Sequence, residues 1–235
     1  MIGSHAAELM TEPLAETDAG SISLRSFDYG RLTALLENKD VLALGPGLGT
    51  EQETVSVVRR VVEETRQPIV IDADGLNALA SWDRPTQRVP GLSPMRVLTP
   101  HPGEMARLTG QTTAQIQADR VGAARAFASE RRVTLVLKGY RTLIAFPDGA
   151  VWINPTGGPA MATGGTGDIL TGAIAGLLVQ FPAQPALAVA AAVYLHGLAG
   201  ELGAAQLGEK ALLATDLLHF FPEGMRELAG APDGL

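Results

Sequence analysis

The chain has no cysteine. That excludes a disulfide framework, a Cys-ligated metal and a thiol nucleophile, and fits a cytoplasmic setting. Positive charge is scarce: 18 Lys and Arg stand against 25 Asp and Glu, a formal net charge of -7. With no Lys/Arg-rich run to offset that balance, no nucleic-acid-binding face is expected. The N-terminus has neither the basic nor the apolar region of a signal peptide. Long hydrophobic runs are also missing. Segments 169–181 and 186–200 come nearest, but they are short and rich in Ala and Gly, and His196 interrupts the second. They read as buried helices, with no membrane contact. No Pro/Ser-rich linker, charge block, repeat or low-complexity tract divides the 235 residues, so one α/β domain over 1–235 is expected. Its 46% hydrophobic content suffices for a sizeable core.

What the chain does have is glycine, concentrated where it counts. Between Asn154 and Leu178, Gly157, Gly158, Gly164, Gly165 and Gly167 fall within eleven residues, followed by Asp168 and an apolar segment. Such a loop lets the backbone approach a ligand closely. Where it feeds a helix, unpaired N–H groups and the positive end of the helix dipole meet, a seat for phosphate. Asp168 then reads either as a helix N-cap or first-turn acid, or as a base held beside a polyphosphate. Ile169, Leu170, Ala173 and Leu177, with small Thr171, Gly172, Ala175 and Gly176, predict a helix packed closely on a sheet.

The remaining pattern alternates strand and helix. Residues 1–27 read as mostly irregular and Asp28–Asn38 as a helix, and Val41–Leu44 as a buried parallel strand running into Gly45-Pro46-Gly47-Leu48-Gly49-Thr50. That turn misses the dinucleotide fingerprint because its third glycine comes one residue early. It is either a tight βα turn or a ligand contact. A helix over Glu51–Arg66 is followed by a strand at Pro68–Ala73 that ends in Asp72 and Asp74, the latter a cap for a helix through Leu79. Carboxylates beyond a parallel strand's C-terminal end lie on the face where open α/β sheets bind ligands, so Asp72 and Asn77 are candidate site-wall residues.

Met95–Thr99 predicts a strand, and Pro100-His101-Pro102-Gly103-Glu104 turns into a helix with Pro102 near its first position. His101, held extended between prolines, reads as exposed or capping, and Glu104 as compensation of the helix dipole. Gln115–Arg132 reads as an amphipathic helix and Val133–Lys138 as a central strand. A hairpin of Thr142–Phe146 and Ala150–Asn154 turns at Pro147-Asp148-Gly149. Helices at Ala183–Gln206 and Thr215–Leu228 close the chain, and their Ala-rich faces would suit a homo-oligomer. His5, His196 and His219 lack any spacing suited to zinc. Together these elements predict a mainly parallel sheet covered on both faces.

The motifs GPGLG at 45–49, DADGLNAL at 72–79, TPHPGEMARLTG at 99–110, KGYRT at 138–142 and GGTGDILTG at 164–172 stand in one order along the chain. In that set the chain resembles the ADP/ATP-dependent NAD(P)H-hydrate dehydratases of the ribokinase-like superfamily. The resemblance runs from about Glu8 to the C-terminus. It implies a three-layer α/β/α fold and a further N-terminal strand, glycine-rich turn and helix lining the substrate pocket, ahead of the ELMTEPL segment at 8–14.

The resemblance implies a function as well: a nucleotide-dependent lyase that returns hydrated NADH or NADPH to the coenzyme, using ADP or ATP and Mg²⁺, alongside an NAD(P)H-hydrate epimerase. Asp168 would be the catalytic base. Gly45, Gly47, Gly49, Asp72, Asn77, His101 and Asp168 would meet the hydrated coenzyme. Lys138, Gly139, Tyr140, Arg141 and Thr142, with Gly164, Gly165, Thr166 and Gly167, would hold the nucleotide. No residue would ligate metal directly, Glu104 organising Mg²⁺ through water. In the absence of a P-loop lysine motif, backbone amides, the helix after Gly167 and a divalent cation would meet the phosphate charge. Two alternatives remain open. One is a ribokinase-like sugar or vitamin-precursor kinase, which keeps its phosphorylated product; the other is a nucleotide-binding module without catalysis.

Overall fold

In a computed structural model, which describes residues 8–80 and 95–230, short β-branched and apolar runs form one six-stranded sheet in the order β1-β2-β3-β4-β5-β6. The strands are β1 (Leu42–Leu44), β2 (Ile69–Ile71), β3 (Arg96–Leu98), β4 (Thr134–Leu137), β5 (Leu143–Ala145) and β6 (Val151–Ile153). β1 to β4 pair in parallel, while β5 pairs antiparallel with both β4 and β6, so β5 alone runs against the rest. The expected hairpin is present, with Gly149 N–H donating to Phe146 O at its turn.

Strand alternation sends successive side chains to opposite faces, and the core divides accordingly. Ile69, Ile71, Leu98, Leu135 and Leu137 pack under α2 (Gln52–Glu64), α3 (Ala73–Leu79), α4 (Pro102–Thr109) and α6 (Arg120–Arg131). Val70, Val97, Val136 and Ile144 pack under α7 (Thr166–Gln180) and α8 (Pro185–Leu207). The result is the three-layer α/β/α arrangement expected. The first helix, α1 (Arg31–Glu37), joins Phe27 and Leu32 to Val57 and Val61 of α2, and α9 (Leu217–Ala229) closes on α8 through Leu217 and Phe220.

Several elements depart from expectation. The helix foreseen from Asp28 begins only at Arg31, because Asp28 is extended and Tyr29 is left-handed at φ 54. β1 is an edge strand with Ala43 exposed, not a buried one. The single helix expected over Gln115–Arg132 is two. α5 (Thr113–Ala118) stops at Asp119, whose side chain turns to cap α6 by accepting from Gly122 N–H. α8 nearly coincides with the helix read over Ala183–Gln206; its 23 residues are long and apolar enough to cross a membrane by composition, yet Ala188, Val189, Ala192 and Val193 pack under the sheet. On α7, the buried side is Leu170, Ile174, Leu177 and Leu178, whereas Gly172 and Gly176 face open space rather than the sheet. His5 lies outside the described residues.

Candidate functional site

The C-terminal ends of β1 to β4 deliver Gly45, Asp72, the Thr99–His101 segment and Lys138 to one edge of the sheet. β5 runs the opposite way and begins at that edge just after Thr142, and β6, running with β1 to β4, ends there just before Asn154. A cavity of about 710 Å³ opens there, within the usual size for a small-molecule site. Its walls are the Lys138–Thr142 turn with His101, the loop from Asn154 through Thr163, the first turn of α7 (Thr166, Gly167, Leu170), and Val193, His196 and Gly197 of α8.

A buried ionic cluster underlies one wall. Lys138 Nζ is 2.7 Å from Asp72 Oδ1, and Thr171 of α7 donates its hydroxyl to Asp72 Oδ2 at 3.1 Å. Both Asp72 oxygens are thus engaged, on a side chain only 2% exposed. Glu104 Oε2 lies 3.6 Å from the same ammonium and accepts His101 N–H at 2.7 Å. His101 Nδ1 in turn accepts from the Gly103 and Glu104 amides. This is a capping box at the start of α4, and it fixes the His101 proton on Nε2. A Cβ on Gly167 would sit 3.3 Å from both Lys138 Nζ and Asp72 Oδ2, so the ammonium stands against α7's first turn. No P-loop lysine motif exists in the sequence; Lys138, the residue after β4, is the ammonium placed against α7's first turn.

The start of α7 has donors to spare. Its N-cap, Gly165, is left-handed at φ 93 and brings no side-chain cap, and among the described residues the Thr166, Gly167 and Asp168 amides have no acceptor. The Thr166 hydroxyl is spent locally, on Met161 O and Thr163 O. His196 anchors the same turn from α8, its Nε2 lying 2.9 Å from Thr166 O. Burial lowers its pKa to about 4, and nearby Lys138 adds to the shift while the Thr166 bond opposes it, so the ring is neutral near pH 7. One residue on, Gly197 lets the Asn154–Thr156 loop touch α8. A Cβ there would overlap the Thr156 side chain, whose hydroxyl donates to Tyr194 O at 2.8 Å. Arg120 holds the opposite wall, donating to Tyr140 O at 2.6 Å and Leu137 O at 3.3 Å, and burial pushes its guanidinium pKa down.

The residues foreseen for the nucleotide gather well. Lys138, Gly139, Tyr140, Arg141, Thr142, Thr166 and Gly167 line the cavity; Gly164 and Gly165 lie just outside it. Of those foreseen for the coenzyme, only His101 lines it. The Gly45–Gly49 turn is built against α3, a Cβ on Gly45 overlapping Asp72 O. Asp74 does not cap α3 as expected: it accepts Gly49 N–H at 2.8 Å and Asn77 Nδ2–H at 3.2 Å, while Asn77 Oδ1 accepts from Arg107. Between Asp72 and Asp74, Ala73 is left-handed at φ 49, a strained turn that aims one carboxylate into the cluster and the other at the glycine turn.

Asp168 is not an N-cap. It is an exposed first-turn acid, without a hydrogen bond among the described residues, and it falls outside the cavity lining although Gly167 beside it is within. Glu104, read first as dipole compensation, is a buried capping partner and ionic neighbour of Lys138. Among the described residues no group of three His, Asp or Glu is placed to hold a metal. Sequence reasoning missed Asn154, Met161, Val193 and His196 as lining residues. For His196 a signal existed: it is an imidazole set in an apolar helix.

A model of the NAD(P)H-hydrate dehydratase family matches residues 1–223. The bifunctional NAD(P)H-hydrate repair enzyme of Moorella thermoacetica is 50% identical over 94% of this chain and 41% of its own length. The ADP-dependent (S)-NAD(P)H-hydrate dehydratase of Bacillus subtilis is 40% identical over 80% of this chain and 64% of its own. Among solved structures, the ADP/ATP-dependent NAD(P)H-hydrate dehydratase from Bacillus subtilis co-crystallized with ATP/Mg²⁺ superposes with TM-score 0.71 at 39% identity, over 80% of this chain and 64% of that one. A ribokinase-like superfamily protein from Enterococcus faecalis superposes with TM-score 0.70 at 32% identity, over 83% and 66%. The chain thus spans under two thirds of the length of the curated relatives named here.

Proposed function

The chain belongs to the NAD(P)H-hydrate dehydratase family, and from that membership we propose that it converts hydrated NADH or NADPH back to the coenzyme, with ADP as the phosphoryl donor. One observation carries this reading. The free amides of α7's first turn and the Lys138 ammonium converge on a cavity of about 710 Å³, a preorganised seat for the terminal phosphates of a nucleotide.

Phosphoryl transfer needs positioning and charge neutralisation more than covalent help from the protein. The hydrated ring's alcohol loses its proton to Asp168, and its oxygen bonds to the terminal phosphorus as the bond to the departing nucleotide breaks. Phosphate then leaves carbon far more readily than hydroxide would, and loss of a ring proton completes the double bond. Among the described residues Asp168 has no competing partner, and it stands next to Gly167 at the cavity's rim. Support for its role as base comes from the family motif.

Asp72 and Glu104 outnumber Lys138 at this wall, so a bound polyphosphate needs an added cation. The acids are engaged, Asp72 by Lys138 and Thr171 and Glu104 by the His101 amide, so Mg²⁺ fits as a guest of the phosphates, near Glu104 through water. Its contribution there is charge neutralisation. The (S) in the Bacillus relative's name supports a partner that interconverts the hydrate's epimers, an epimerase.

The test supplies hydrated NADH, ADP and Mg²⁺. Recovery of reduced-nicotinamide absorbance with matched phosphate release is expected, and Asp168→Asn should abolish it while nucleotide binding persists. Accumulation of a stable phosphorylated alcohol would instead identify a kinase, and near-normal turnover by Asp168→Asn would remove the base assignment.

A further inference from the structure

We propose that Nδ1 of His196 is a specificity determinant, accepting a hydrogen bond from a donor group on the nucleoside half of the bound nucleotide. This rests on the nucleotide reading above and goes beyond it. The geometry begins with Thr166 O, which lies 2.9 Å from His196 Nε2. A carbonyl only accepts, so Nε2 carries the proton, and in a neutral ring Nδ1 is left with a lone pair. Burial and the nearby Lys138 charge both favour that neutral form.

Among the described residues Nδ1 has no partner. Nor is it sealed in the interior, because the buried side-chain atoms lacking partners are Thr54 Oγ1 and Arg120 Nε. It therefore opens on space, and the space this ring lines is the cavity.

A fixed lone pair repels phosphate oxygens, and the phosphates already have Lys138 and the α7 amides. The cavity lining includes Val193 and Gly197 on the same helix as His196, with Met161 and Pro159, beside the polar Asn154 and Thr156, a mixed surface that suits a sugar or a flat base. A donor on either one completes the imidazole's bonding: a sugar hydroxyl or a base's exocyclic amine. An oxo group in the amine's position would place two acceptors face to face, leaving a buried polar group unpaired.

Two substitutions separate the acceptor from the anchor. His196→Gln keeps an N–H near the Nε2 position for Thr166 O but loses the ring acceptor; His196→Asn keeps an acceptor near Nδ1 but loses the anchor. Calorimetry on the whole chain would compare ADP with 2′-deoxy-ADP, 3′-deoxy-ADP and IDP, after a melting profile of each variant. Wild type should bind one of these analogues about tenfold more weakly than ADP, the worth of one hydrogen bond. That analogue identifies the source as sugar or amine. The penalty should vanish in His196→Gln and persist in His196→Asn. A penalty unchanged in His196→Gln, or lost in a folded His196→Asn, overturns the inference while ADP binding stands. If wild type binds no ADP, the nucleotide reading falls, and this one with it.

Discussion

The ammonium of Lys138 lies 2.7 Å from Asp72 Oδ1 and so ties the end of β4 to the end of β2 across β3. The two partners are unequally buried, Lys138 at 21% exposure and Asp72 at 2%. Breaking the pair from either side should therefore cost different amounts.

Lys138→Met strands a carboxylate in the interior, with Thr171 as its remaining partner. Asp72→Asn leaves an ammonium that still has Glu104 at 3.6 Å and some access to water. Loss of one partner from a buried pair costs about 3–5 kcal/mol, the range expected for Lys138→Met. For Asp72→Asn about 2 kcal/mol is expected, the scale of a hydrogen bond to a charged group. Denaturant unfolding of both variants checks the order.

The glycines of the 45–49 turn should also separate. Gly45 has φ 132, and an added Cβ would overlap Asp72 O, which is backbone and does not yield. Gly47 has φ 71 and nothing within 4 Å. Gly45→Ala is expected to cost about 3 kcal/mol or more, since strain and overlap combine. Gly47→Ala should cost about 1 kcal/mol, the left-handed penalty alone. Melting temperatures of the two variants provide the comparison.

His196 should make the fold acid-sensitive. Its pKa falls from 6.5 to about 4 on folding, so between those values the unfolded chain binds the extra proton and stability rises with pH. The contribution is fully present above pH 6.5 and lost as pH falls through about 4. Its size is on the order of 3 kcal/mol. Urea unfolding at pH 7.5 and pH 4.5 should show a smaller difference for His196→Gln than for wild type. Equal differences would mean another group carries the acid sensitivity.

Local chemistry made much of this molecule legible in sequence. β-Branched runs such as Pro68–Ala73 can only satisfy their backbone and bury their side chains as inner strands, and Pro147-Asp148-Gly149 dictates a tight reversal. The α7 start likewise follows from its glycines, whereas the Lys138–Thr142 wall follows from the resemblance to the family and not from local chemistry. Less legible was anything set by partners distant in the chain. Asp119 breaks a helix because a side-chain cap at Gly122 competes with continuation. Asp72 and Asp74 look alike in sequence, but the left-handed Ala73 between them sends one to Lys138 and the other to Gly49. Which side of α7 meets the sheet was misread at Gly172 and Gly176, because small residues serve close packing and bare surface equally well. His196 enters the site only through the packing of α8 on α7.

The antiparallel hairpin has a practical corollary. Its two legs deliver Thr142 and Asn154 to the cavity, while its Pro147-Asp148-Gly149 bend emerges at the opposite margin of the sheet. A loop extension, affinity tag or fluorophore grafted onto that bend would be held away from the ligand by the whole length of both legs, which makes it a natural handle for immobilising or labelling the molecule while it works.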